Sequence, residues 1–185
     1  MATNTKVFTL GLAKILFGEP AADGGMSTDL KTVGYTNQDS CNITQDDPEV
    51  TEFYAEEVDD PVITKSKKGK TSLTMSIMDP SVDVLKQFLG GTITEDGKWE
   101  DGELYENIEL SVRIVSDQGY VFDAPRVKID AKINAPLNNS NLVTLDINGI
   151  FLKPQNHAKL TMIPPDVWET MQTEETEESG EETNP

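Results

Sequence analysis

Ser72-Leu73-Thr74-Met75-Ser76-Ile77 alternates hydroxyl and apolar side chains without a break. Successive side chains of an extended backbone leave opposite faces, so this stretch predicts a strand with one dry and one wet face. The same period returns three times. Ile108, Leu110, Val112 and Ile114 interleave with Asn107, Glu109, Ser111 and Arg113; Val127, Ile129, Ala131 and Ile133 with Lys128, Asp130 and Lys132; Val143, Leu145 and Ile147 with Thr144, Asp146 and Asn148. Four half-buried strands at this spacing predict antiparallel β structure, because parallel strands covered on both faces lose the polar half of the pattern.

Turn chemistry separates the runs. Asp117-Gln118-Gly119 and Asn138-Asn139-Ser140-Asn141 carry the short polar side chains and glycine that tolerate chain reversal. Pro125 and Pro136 flank the third run, where a missing N–H does little harm at a strand's start or end. Toward the N-terminus, Val7 to Phe17 reads as an alternating or fully buried run, a glycine-rich stretch surrounds Asp23-Gly24-Gly25, and residues 30–36 read as another strand. One helix is legible at about residues 80–89. Asp79-Pro80-Ser81 offers a cap and a first-turn proline, Val84, Leu85, Phe88 and Leu89 form a stripe, and Gly90-Gly91 stops it. A helix of two to three turns is marginal alone and must dock on a sheet. The expected fold is therefore mainly β (α+β), an antiparallel β-sandwich or curled sheet with one flanking helix, an extended loop and flexible termini. Residues 1–172 form the single expected domain. Residues 173–185 hold six glutamates and no apolar side chain, which predicts an acidic, flexible tail.

The 185 residues carry 33 acids against 15 bases, a formal charge of −18. A surface this acidic argues against gripping nucleic acid through its phosphates. The apolar fraction of 36% is low for a chain of this size, which suits a subunit that gains part of its folding free energy from other chains. A single cysteine, Cys41, rules out an intramolecular disulfide, and no Cys/His spacing matches a zinc site. No signal-like organisation or bilayer-length apolar run is present, so synthesis as a soluble cytoplasmic chain is expected, with no membrane partner.

Residues 39–70 are the least ordinary segment and define the expected extended loop. Asp39, Asp46, Asp47, Glu49, Glu52, Glu56, Glu57, Asp59 and Asp60 fall in a stretch without lysine or arginine, and Lys65, Lys67, Lys68 and Lys70 follow at once around Gly69. The lysine cluster reads as a hairpin tip. Acids and bases so segregated along one segment suit contact between copies, the acidic patch of one meeting the basic tip of another. The plainer alternative is a solvated hairpin with no partner.

Catalytic chemistry finds little support. His157, the one histidine, lies in a turn-like stretch, Cys41 has no nucleophile signature, and Asp46-Asp47 and Asp59-Asp60 are adjacent acids that a strand sends to opposite faces. No phosphate-binding glycine loop or calcium-loop pattern occurs. No cofactor or metal is expected, and no enzymatic activity.

Several segments together resemble the major tail tube proteins of long-tailed bacteriophages. They are Lys14-Ile15-Leu16-Phe17-Gly18 before a glycine-rich loop, Asp47-Pro48-Glu49-Val50-Thr51-Glu52-Phe53 leading into Glu56-Glu57-Val58-Asp59-Asp60-Pro61, and Ile77-Met78-Asp79 running into the helix that ends at Gly90-Gly91. The resemblance covers roughly residues 5–165. It implies a structural virion protein of the tail, made in the host cytoplasm, whose copies form rings of six that stack into a hollow tube. It further implies neighbours such as the tape-measure protein, the tail terminator and a sheath, and DNA that passes through without specific binding. On that implication, Asp46, Asp47, Glu49, Glu52, Glu56, Glu57, Asp59, Asp60, Lys65, Lys67, Lys68 and Lys70 are candidates for contacts between subunits and rings. Glu109, Asp130 and Asp146, on the wet strand faces, are candidates for an acidic lumen. Two alternatives are another virion or head-tail connector component and a cellular acidic β-sandwich binding module.

Overall fold

A computed structural model describes residues 9–78, 80–103 and 106–180, with side chains described as far as residue 172. In chain order the elements are β1 (Lys14–Gly18), β2 (Tyr35–Thr36), β3 (Asn42–Gln45), β4 (Glu49–Ala55), β5 (Val58–Lys67), β6 (Thr71–Met78), α1 (Val82–Leu89), β7 (Thr92–Ile93) and β8 (Trp99–Glu100). They continue as β9 (Ile108–Val115), β10 (Val121–Asn134), β11 (Thr144–Phe151), β12 (Thr161–Ile163) and α2 (Pro165–Gly180). The chain is mainly β. One antiparallel sheet dominates, in the order β1-β9-β10-β11-β6-β2, with β12 also on β10 and β3 also on β6.

The four alternating runs become β6, β9, β10 and β11, the centre of this sheet. Their apolar sides face one way, so Leu73, Met75, Ile77, Leu110, Val112, Ile114, Val127, Ile129, Leu145 and Ile147 share a single core. The sheet curls around that core until its two ends nearly meet. Helix α1 closes the space by inserting Val84 and Phe88, and the Phe88 ring meets Phe17 of β1 edge-on at 4.9 Å and 85°. Burying two such side chains stabilises the docked helix by about 3–6 kcal/mol, far more than its intrinsic propensity could supply.

Local sequence explains the joints. Ser81 caps α1, its Oγ accepting from the Val84 N–H, so Pro80 stands before the cap instead of in the first turn. Gly90 and Gly91 both take positive φ, 77° and 78°, and end the helix as expected. Between β9 and β10, the Gly119 N–H donates to the Ser116 carbonyl at 3.0 Å, closing the expected turn. Between β10 and β11, Asn138 Oδ1 accepts from the Ser140 and Asn141 N–H groups, both at 2.9 Å.

Three details depart from the pattern-based reading. Pro125 does not bound β10 but lies inside it, at a bulge where pairing with β9 slips between Ala124 and Val127; the strand absorbs a residue with no N–H there, and the Pro125 carbonyl accepts from Ser111 Oγ at 2.7 Å. Residues 30–36 supply only β2 and a lone bridge from Lys31 to Phe17. A second helix, α2, follows β12, and its backbone continues to Gly180 through much of the stretch expected to be a flexible tail. Glutamate is a good helix former. Trp168 anchors the helix start, packing against the cluster of Val115, Val121 and Ile163 and stacking on the Arg113 guanidinium 4.5 Å from its ring centre. Residues 181–185 and the start of the expected Val7 to Phe17 run lie outside the described residues.

Candidate functional site: the projecting hairpin and the outer sheet face

Most of the expected extended loop is strand. Its first residues form β3, paired on β6, and the rest becomes the β4–β5 hairpin. The two strands hold seven and ten residues and pair only with each other. Every residue from Glu49 to Lys67 is exposed except Ala55, which is half-buried. A ten-residue strand spans about 30 Å, so the hairpin stands well clear of the body.

Its register places the charges. Glu49 faces Lys67, Thr51 faces Lys65 and Phe53 faces Ile63, while Val50 faces Ser66 and Glu52 faces Thr64. The lysine cluster thus lies at the root, not the tip: Lys65 and Lys67 are in β5, and residues 68–70 link β5 to β6. Gly69 misled that assignment because its role is close approach rather than reversal. A Cβ at Gly69 would collide with the Asp46 carbonyl, and Asp46 N–H donates to the Lys70 carbonyl at 2.8 Å beside it. The tip is the turn carrying Glu56 and Glu57, with Asp59 and Asp60 next to it. Among the twelve expected contact residues, Glu49 and Lys67 approach within 4.0 Å; Asp46, Asp47, Lys68 and Lys70 cluster at the root; Glu52, Glu56, Glu57, Asp59 and Asp60 line the outer part.

Sequence reading concentrated on these charges and missed the apolar side chains between them. Phe53 and Ile63 form a cross-strand pair on one face, and alternation puts Tyr54 and Val62 on the other. Each of the four is at least half exposed, Phe53 least at 53% and Tyr54 and Ile63 most at 61%. Tyr54 donates its hydroxyl to Glu52 Oε2 at 2.6 Å, and that bond to a carboxylate holds the phenol above its ordinary pKa. The alternation of Phe53 with Glu52 and Tyr54 was the available signal.

Glu109, Asp130 and Asp146 share one face of the sheet, the side away from the core, as the alternation implied. Each is engaged there. Glu109 takes a two-pronged contact from Arg126, at 2.5 and 3.1 Å, which holds its carboxyl below the ordinary range. Asp130 lies 3.5 Å from Lys128. Asp146 accepts from Ser76 Oγ at 2.7 Å, Thr144 Oγ1 at 3.2 Å and Asn134 Nδ2 at 3.3 Å. On the same face Arg113 grips Asp123 through two bonds of 2.6 Å, and Lys132 stands opposite Asp146 in register. Cations match acids across this surface, so the excess negative charge of the chain lies elsewhere; residues 165–185 alone hold eight acids and no base.

The remaining chemical candidates are separated. His157 is exposed and sits 3.8 Å from Asp23. Cys41 is half-buried in a cleft with Leu12, Ile43, Ile114, Phe122 and Leu160, and burial pushes its thiol up to about 11, away from the thiolate that nucleophilic work needs. Among the described residues, no group of three or more His, Cys, Asp or Glu side chains converges to hold a metal ion, and no helix is long and apolar enough to cross a membrane. Compared with known proteins, the chain matches no protein-family model and no curated protein.

Proposed function

We propose that this chain is a structural subunit that assembles with copies of itself, and specifically a tail tube subunit of a bacteriophage virion. In this reading the copies form rings of six that stack into a tube, bounded by a tail terminator and threaded by a tape-measure protein or DNA. The observation that carries it is the β4–β5 hairpin. A lone two-stranded hairpin is marginal in water, and this one holds exposed apolar side chains on both faces, its strands pairing with no other described strand. Open strand edges and exposed aromatic side chains are tolerated when another chain covers them.

The outer sheet face is compatible with a conduit for DNA. Arg113, Arg126 and Lys128 are matched by Asp123, Glu109 and Asp130, which leaves little free cationic surface to hold phosphates. Nothing in this role requires catalysis, so the chain acts by shape and association.

Negative-stain microscopy of the purified protein across a concentration series tests the reading. Tubes or stacked six-fold rings are expected. A single closed ring that never stacks would favour a connector component instead, and a protein that stays monomeric while calcium raises its melting temperature would favour the cellular binding module.

A further inference from the structure

The curled sheet stops just short of closing. One end is β1 with its lead-in, the other is β3 beside β6, and where they approach a cleft of about 770 Å³ opens between Thr9, Leu12, Asn42 and Ile43. Its floor belongs to the main core: Ile114 of β9 is buried there, with Phe122, Leu160 and Cys41 packed beside it. The seam also leaves a backbone edge open, because among the described residues β3 pairs only with β6. An open edge beside an apolar cleft is a place for one more strand.

Thr9 already lines the cleft, so the residues before it start at the seam. They are Met1-Ala2-Thr3-Asn4-Thr5-Lys6-Val7-Phe8, outside the described residues. Eight extended residues reach about 25 Å, whereas the four of β3 span about 13 Å. Their chemistry suits the place. Thr3, Thr5 and Val7 are β-branched, as strands favour, and Val7 and Phe8 bring apolar side chains directly beside Thr9. In a chain of charge −18 these eight residues hold no acid, and Lys6 brings a positive charge to a cleft whose lining includes Asp39 and no base.

We infer that residues 1–8 close the seam of their own chain as an added strand on the open edge of β3. Alternation then follows from Thr9: Val7 shares its face and fills the cleft over Cys41 and Ile43, while Lys6 leaves by the other face. The added strand covers the core side chains that the seam exposes and satisfies the free backbone groups of β3. The inference concerns a single chain and stands apart from self-assembly.

Cys41, the one thiol of the chain, reports the contact. Val7→Cys and Lys6→Cys chains are each treated with oxidised glutathione at low protein concentration and separated on non-reducing gels. Val7→Cys is expected to form an intrachain disulfide with Cys41 about tenfold faster than Lys6→Cys, since a disulfide needs side chains that point at each other. Equal rates would mark chance collision of an unseated segment, absence of the Val7→Cys disulfide would place the segment elsewhere, and a disulfide-linked dimer would give the cleft to another copy. Each of these overturns the inference. Amide exchange compares the wild type with Val7→Asp as a second readout. About tenfold faster exchange is expected at the β3 amides that face the seam, with the β9 and β10 amides unchanged. Equal exchange at β3 in the two chains overturns the inference as well.

Discussion

Strands β5 and β10 are both long, ten and fourteen residues, yet they live by different rules. Along β10, β9 lies on one side and β11 and β12 share the other, and alternate side chains enter the core. Among the described residues, β5 has only β4 beside it, and none of its residues is buried. Side chains that look alike in sequence therefore do different work: Ile129 of β10 is 1% exposed and holds the fold together, whereas Ile63 of β5 is 61% exposed and is available to another chain. The body is specified by its own sequence. On the proposed reading, the hairpin is specified for another copy.

The largest expected effect lies in the body. Phe88→Ala removes the ring that α1 inserts against Phe17 and should cost about 3–5 kcal/mol in urea unfolding. Phe53→Ala on the hairpin should change the same measurement by less than about 0.5 kcal/mol and act on association instead. Equal losses at both sites would erase the distinction between the two regions.

Next comes the ion pair beneath α2. Arg113→Ala leaves the Asp123 carboxylate, 8% exposed, without its two-pronged partner and removes the cation on which Trp168 stacks. A loss of about 3 kcal/mol is expected, together with a changed Trp168 emission measured in a Trp99→Phe background. Arg113→Lys should recover only part of it, because an ammonium cannot reproduce the planar fork.

At the junction of the two regions, Gly69→Ala drives a methyl group into the Asp46 carbonyl. A cost of about 1–3 kcal/mol is expected, with faster amide exchange at the hairpin root than elsewhere. The smallest effect concerns Glu109. Its carboxyl is held low by Arg126, so the pair contributes stability above the ordinary carboxylate range and loses it as pH falls through the depressed value. Arg126→Gln should raise the Glu109 titration seen by NMR, and the stability difference between variant and wild type should close in strong acid.

Alternation made the body legible, because a sheet with one wet face writes its period into β6, β9, β10 and β11. The same rule failed at Pro125, where a bulge imitates a strand boundary. The site was half legible. Residues 39–70 stood out by charge, and Glu109, Asp130 and Asp146 by their polar positions in the alternating runs, but their partners were not visible because Arg126, Lys128 and Ser76 meet them across strands or within a pleat. Sequence also inverted the hairpin, since a glycine among lysines looks like a turn, while close backbone approach appears only in three dimensions.

The central claim is that the hairpin, and not the body, drives association. Sedimentation velocity over a concentration series measures it directly, comparing the wild type with a chain in which residues 49–67 are replaced by a short Gly-Asn turn. The account predicts that the wild type forms larger species as concentration rises, while the shortened chain keeps its melting temperature and remains monomeric. Association of the shortened chain at wild-type strength, or a wild type that stays monomeric throughout, would contradict it.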